Sequence, residues 1–444
     1  MSAKSADLES APRSMLRDSL AAVGTKVFVL ALTVVSVVIQ ARALGPEGRG
    51  HLAALIVLAE ILVPFAGCGA NHSMAYYVGR AKFEVGRLYG SLLFVLVQSS
   101  LIAAAVVAWM HYQSPLPFTT IMIVVTAISV PISVFVNALK GVALGRHRIA
   151  EFNRIFWLEK LVMVGGLLSL WAAGALTITT ALLVMVAASC VVLVTGMQVV
   201  RPFRWPWRVD RRVAGQLLSK GMVLAVTMFL VELLLKIDIY LLSWLSSGDV
   251  TGHYAVAVQA GGMLWQIPLG LGVVVLARSA NRSGSRDGWE LALARAVRVS
   301  LWGVVAAGGV AALAAPLVLP LLLGAEFAPS VLLFQLLVPG IVLLTVFQLL
   351  YMNLAGEGRV WVPLLILLPC VTAKTALALW VIPRFGAEGA AVVSSLAYAA
   401  AALGMAAYFS RRSGLEVADL VLLKRLDFEL LWSLARNFNR GETR

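Results

Sequence analysis

The sequence predicts an all-α polytopic membrane protein of about twelve transmembrane helices. It places them in two six-helix bundles related as parallel repeats, with an amphipathic helix at the C-terminus. Three observations lead there: composition, the placement of basic residues, and a turn used twice. The 444 residues are 60% hydrophobic and 13% charged, with mean hydropathy +0.90. Soluble domains carry about 25% charged residues. A span needs roughly 20 apolar residues, and such stretches fall near 22–43, 50–78, 88–110, 117–143, 153–173, 175–200, 216–245, 251–279, 291–319, 328–355, 360–381 and 386–410.

Basic residues orient the spans. With both termini in the cytoplasm, all but seven of the 36 Lys and Arg residues fall in inner segments or at the inner ends of spans. Arg42, Arg49 and Arg384 lie outside, and Lys26, Lys160, Lys236 and Lys374 lie within spans. Such a bias is the positive-inside pattern, and one missed span would have inverted half of it. The net charge of +14 therefore reads as topology, with some attraction to anionic membrane lipids, rather than as a nucleic-acid footprint. Trp109, Trp171, Trp244 and Trp380 fall at outer ends, and Trp157, Trp205, Trp207, Trp289 and Trp361 near inner ends, as interfacial belts do. Trp265 is the exception, mid-span beside Pro268. No cleavable signal is expected, because about twenty polar residues precede a first span too long for a signal core.

The repeat has three echoes. ARALGPEGRG (41–50) ends the first span and SSGDVTG (246–252) the seventh; Gly50-His51 and Gly252-His253 then open the next spans, with Pro64 and Pro268 farther down each. LGRHR (144–148) pairs with GEGRV (356–360), and AAGALT (172–177) with RFGAEG (384–389). Six spans per unit bring both halves in from the same side, so the repeat axis runs along the membrane normal. The organisation read from this is a tail (1–20), an N-lobe (21–200), a basic linker (201–215), a C-lobe (216–410) and an amphipathic tail (411–444). That last stretch carries Leu423, Leu426, Leu430, Leu434 and Phe438 at helical spacing among charges, which suits a helix lying on the inner leaflet.

Two similar bundles imply a cavity and hence transport. Ionisable groups within a bilayer cost about 2.5–3.5 kcal/mol each on insertion scales and usually face partners or water. The candidates for a substrate cavity are Lys26, Gln40, Glu60, Lys160, Glu232, Lys236, Asp238, Gln259, Gln266 and Lys374, with Arg42 and Arg49 at the outer rim. Glu159 is the remaining carboxylate away from the span ends. Glu232 and Lys236 are four apart on one helix and can pair. Thr126, Ser129, Ser133, Asn137 and Lys140 form a polar stripe in the fourth span, and Lys26, Thr33, Ser36 and Gln40 one in the first. Bland readings stand beside these: Lys26 and Lys160 can snorkel to the inner face, and Ser/Thr stripes can mark helix packing. The rim arginines can equally serve helix ends. Pro64, Pro131, Pro268, Pro339 and Pro363 are candidate kinks for bending helices. Cys68, Cys190 and Cys370 match no metal spacing, and HExxH, P-loop and paired-cysteine motifs are absent. GLG (270–272) lacks a preceding strand and is a packing pattern. Short outer loops offer an enzyme such as a glycosyltransferase or polymerase only Arg42, Arg49 and Arg384. Neither a catalytic residue nor a metal or organic cofactor is expected.

ARALGPEGRG resembles the LGP-x-x-xG turn of the polysaccharide flippases, which belong to the multidrug/oligosaccharidyl-lipid/polysaccharide (MOP) exporter superfamily. ALKGVALGRHRIAEFNRI (138–155), KIDIYLLSWLSSGDVTGHYAVA (236–257) and VIPRFGAEGAAVVSS (381–395) resemble further segments of that family in the same order. The resemblance covers roughly 15–410. It implies two six-helix bundles in a V, as in the multidrug (MATE) branch, and a bacterial inner-membrane location. It also implies translocation of an undecaprenyl-diphosphate-linked oligosaccharide from the inner to the outer leaflet by alternating access. Membrane lipids, the lipid-linked oligosaccharide and polysaccharide polymerase or assembly proteins would be its partners. Buried carboxylates could couple a proton or Na⁺. The alternatives are a MATE-like cation exporter, which would want an acidic cavity without lysines, and a peptidoglycan lipid-precursor flippase. Some flippases have fourteen helices, and this chain departs from them at twelve.

Overall fold

The computed structural model describes residues 3–70, 85–146, 148–200, 208–280 and 286–424. Every regular element among them is helical: α1 (Ala3–Ala66), α2 (Val85–Tyr112), α3 (Thr120–Gly145), α4 (Ile149–Ala172), α5 (Ile178–Val200), α6 (Arg211–Leu245), α7 (Gly248–Ala280), α8 (Arg286–Leu323), a 3₁₀ turn (Ala325–Phe327), α9 (Pro329–Gly356), α10 (Trp361–Ser413) and α11 (Val417–Val421). An apolar environment leaves backbone groups no water to bond, so continuous helices are the economical solution.

Nine of these helices are long and apolar enough to cross a membrane among the described residues. Two of the nine are interrupted. Helix α1 bends at Gly45, with φ 65°, and α10 at Gly386, with φ 56°. Both glycines lie in turns the sequence places outside. At the first, Gly45 adopts the left-handed backbone that a Cβ disfavours, and Pro46 follows with its φ already suited to a new helix. The short turn expected within 41–50 is thus one residue of broken helix. Helix α6 also has the length of a span, at 35 residues. Glu232, Lys236 and Asp238 interrupt its apolar character within two turns.

Some boundaries differ from expectation. Helix α1 ends at Ala66, where a turn over 67–69 puts Cys68 and Gly69 at positive φ; positions 71–78 of the expected second span lie outside the described residues. Backbone contact ends the helix there: a Cβ on Gly69 would lie 2.4 Å from the Gly221 carbonyl oxygen of α6. Pro363 sits in the first turn of α10 and Pro64 in the last turn of α1, so neither is a mid-helix kink; a first-turn proline removes no helical hydrogen bond. Pro131, Pro268 and Pro339 do lie inside α3, α7 and α9.

The chain forms two compact units, one of residues 1–255 and 320–327, the other of 256–319 and 328–444. The expected linker at 201–215 divides the chain by repeat, whereas the packing keeps α6 with the first unit, because α6 lies along α1. Residues 201–207 of that linker, with Trp205 and Trp207, lie outside the described residues.

In the first unit, Ile39, Leu52 and Leu55 of α1 pack against Met163, Val164 and Leu167 of α4 and Ala181, Leu182 and Ala188 of α5. Lipid tails are as apolar as these side chains, so close packing rather than water expulsion holds such helices together. Closest of all is a glycine seam: a Cβ on Gly50 would fall 2.0 Å from the Gly248 carbonyl oxygen, and one on Gly252 1.9 Å from that of Pro46. The two turns that echo each other in sequence therefore pack backbone against backbone. In the second unit α9 packs along α10. There α8 holds the C-terminal segment: Arg298 and the Trp302 indole donate to the carbonyls of Asp419 and Val421, and Leu420 is fully buried. Lys424 bonds the Asp419 carboxylate and holds it below the usual carboxylate range. Of the expected C-terminal amphipathic helix, only α11 falls in described residues; 425–444, with Leu426, Leu430, Leu434 and Phe438, lie outside them.

Candidate substrate cavity

The first unit encloses a cavity of about 330 Å³ between α1, α3, α4, α5 and α6, at the small end of the range for ligand pockets, about 300–1,000 Å³. Helix α3 supplies most of its polar wall. Thr126, Ser129, Ser133, Asn137 and Lys140 all line it, because steps of three and four residues return to one helix face. Ser189 of α5 adds a hydroxyl, while Ile56, Val63, Met163 and Met185 supply apolar wall.

Six charged side chains complete the lining: Glu60, Lys140, Glu159, Lys160, Glu232 and Lys236. Three lysines and three glutamates balance formally, but they are not evenly engaged. Lys236 lies 2.9 Å from the Glu60 carboxylate of α1 and 2.8 Å from that of Glu232, one turn back on α6. One ammonium thus joins two carboxylates on two helices. Lys140 lies 3.7 Å from Glu159 and 4.2 Å from the centre of the Phe156 ring, an ion pair supplemented by a cation–π contact. Lys160 makes no ion pair or hydrogen bond among the described residues, so one cation on the wall remains available.

The model of the family described as "polysaccharide biosynthesis protein" matches this chain over residues 15–276. The chain belongs to that family. Among curated proteins, none matches. Solved structures of MOP-superfamily transporters share the fold. One is an inward-facing multidrug-resistance MATE transporter, 13% identical, with TM-score 0.71 over 86% of this chain and 94% of that one. Another is the lipid II flippase MurJ in an inward closed conformation, 11% identical, with TM-score 0.73 over 97% and 94%. A third, from Pyrococcus furiosus, is described as having a binding pocket of reversed polarity; it is 14% identical, with TM-score 0.63 over 87% and 93%. This family member is thus a multi-pass, all-helical membrane protein with a MOP-type fold.

Of the residues expected at a cavity, the fold brings Glu60, Lys160, Glu232 and Lys236 together. The expected Glu232–Lys236 pair forms; the Glu60 contact, 176 positions away in sequence, had no local signal. The others sit elsewhere. Lys26 is exposed on α1, and Gln40 is buried and donates to Ser36 at 3.0 Å. Asp238 is fully buried, accepting from the Tyr254 hydroxyl and from the Ile239 amide. In the second unit Gln259 is half-buried, Gln266 is exposed, and Lys374 is 1% exposed with its ammonium 5.3 Å from the Tyr398 ring centre. At the expected rim, Arg42 donates to the carbonyls of Leu321 and Leu322 at 2.7 and 2.8 Å. These are among the last carbonyls of α8, which have no partner within their own helix, and a cation there also meets the negative end of the helix dipole. Arg49 is buried.

Thr126, Ser129, Ser133, Asn137, Lys140, Glu159 and Ser189 line the cavity without having been singled out as site residues. All but Ser189 carried a signal: the α3 stripe, or a charge within a span. Ser189 carried none, being one small polar residue in an apolar helix.

Proposed function

We propose that the protein is a flippase that carries an undecaprenyl-diphosphate-linked oligosaccharide, a cell-surface or exopolysaccharide precursor, from the inner to the outer leaflet of the bacterial inner membrane. The observation that carries this reading is the cavity of the first unit: a wall of hydroxyls, an amide and three lysines inside an apolar helical protein of the polysaccharide biosynthesis family. Hydroxyl and amide groups replace the hydration of sugars, and ammonium groups lower the cost of moving a diphosphate through a low-dielectric region. At about 330 Å³ the cavity suits the headgroup and its first sugars, leaving the prenyl chain in lipid.

Topology enters the same proposal. The kinks at Gly45 and Gly386 divide α1 and α10, and with α6 this supports twelve spans in two six-helix repeats, both termini being cytoplasmic. Alternating access would move the substrate, with Glu60, Glu159 and Glu232 as the carboxylates through which a proton or Na⁺ could be coupled. Polysaccharide polymerase or assembly proteins would receive the product.

The three glutamates also favour a second reading, a MATE-like exporter of organic cations. Leaflet-specific labelling separates the two. In cells depleted of the protein, lipid-linked glycan should accumulate in the inner leaflet, and exposure in the outer leaflet should fall at least tenfold. Unchanged exposure, together with lost resistance to cationic dyes, would favour the exporter.

A further inference from the structure

We propose that Lys160 is the phosphate-receiving cation of the cavity and that Lys236 is a latch already occupied by its own carboxylates. The inference rests on the flippase reading and assigns its phosphate contact to one side chain. Both lysines line the same wall, so composition and position do not distinguish them; their partners do.

Lys236 has carboxylate oxygens at 2.9 and 2.8 Å from two glutamates. Two carboxylates on one ammonium give the triad itself a charge of −1, with Arg49 and Lys160 the further cations acting on Glu60, so a phosphate arriving at Lys236 must displace a carboxylate already bonded there or wait for one to take a proton. The triad also ties α1 to α6, which suits a cross-helix fastening. Lys140 is matched by Glu159 and covered on one side by the Phe156 ring, leaving no net charge. Lys160 has no carboxylate or hydrogen-bond acceptor within bonding distance among the described residues; Glu60 acts on it only at longer range, and it is half-exposed on the cavity wall. An unpaired ammonium in such a place is the favourable counter-ion for an incoming anion, because no existing pair must first be broken. Ser133, Asn137 and Ser189 share the wall and offer neutral donors to remaining phosphate or sugar oxygens.

The ligand chemistry is a phosphate or diphosphate. It could belong to a lipid headgroup or to a free anion, and the flippase reading commits to the lipid. The test uses full-length protein in lipid nanodiscs with three probes: undecaprenyl diphosphate, undecaprenol and inorganic pyrophosphate. Lys160→Gln should weaken undecaprenyl diphosphate binding about ten- to hundredfold, the range for a lost charge-assisted bond. Lys160→Arg should restore most of it, and undecaprenol binding should be insensitive to either change. Neutralising the triad with Lys236→Met, Glu60→Gln and Glu232→Gln together should cost less than Lys160→Gln alone. Glu60→Gln with Glu232→Gln, added to Lys160→Gln, frees Lys236 and should recover binding at least fivefold.

A Lys160→Gln protein that binds the diphosphate like the parent overturns the proposal, as does a neutral-triad protein that loses more than Lys160→Gln. Pyrophosphate bound through Lys160 without any lipid binding keeps the anion site but assigns it to a soluble ligand, and the lipid reading falls. If outer-leaflet labelling shows translocation while Lys160→Gln binds normally, the flippase reading stands and only this assignment fails.

Discussion

Two regions use the same polar chemistry in opposite ways. In the first unit Lys236 is 27% and Glu60 49% exposed at the side chain, and they meet across a cavity. In the second unit Lys374 is 1% exposed against Tyr398, and Asn353, 2% exposed, accepts from Ser279 and from the Trp289 indole at 2.7 and 2.9 Å while donating to Glu357. Arg412 lies 2.6 Å from that same Glu357. The first arrangement leaves charge within reach of a ligand. The second spends its hydrogen bonds on helix packing. A charged residue within a span is thus no mark of a transport site; what distinguishes one is whether its partners leave room.

Stability measurements can break that contrast. The largest effect should come from Lys374→Ala, which removes a long buried stem and its contact with Tyr398. A loss of about 2–5 kcal/mol is expected, as for other large-to-alanine truncations in a packed interior, read as a lowered unfolding midpoint in detergent. Asn353→Ala should come next, at about 1–3 kcal/mol, because Ser279 and Trp289 would be left with buried donors and no acceptor. Glu60→Gln should cost the least, under about 1 kcal/mol, because the pair is half-exposed and Lys236 keeps Glu232. Equal losses at Glu60 and Lys374 would erase the distinction drawn between the two regions.

The glycine seam and Arg42 make a related point about motifs. The turn at 41–50 and its echo at 246–252 stand out as a repeat, which says that two segments are alike. It does not say that Gly50 lies on Gly248, close enough to exclude any side chain. Arg42 similarly stands out as a cation on the outer side, yet its guanidinium is used by carbonyls at the end of α8.

Much of the architecture was legible because bilayer constraints act along the chain. Span length and turn glycines are local properties, and both appear in the helices found. The Glu232–Lys236 pair was legible for the same reason, being one helical turn. The α3 stripe was visible as a stripe, though its period alone does not tell a cavity wall from a packing face.

By itself, the sequence determined that this chain is an all-helical membrane protein, that its helices break within 41–50 and 384–389, and which charges lie within spans. Those follow from backbone hydrogen bonding and hydrophobic patterning, both read from neighbours. Only the tertiary structure decided that Glu60 meets Lys236, that Lys160 is left unpaired among the described residues, and that Lys374 is packed against Tyr398. The reason is that ion pairing depends on distances between helices far apart in sequence. The six charges of the cavity wall fall into a triad, a pair and one lysine without a close partner, and these environments, rather than the residue types, divide latch from binding group.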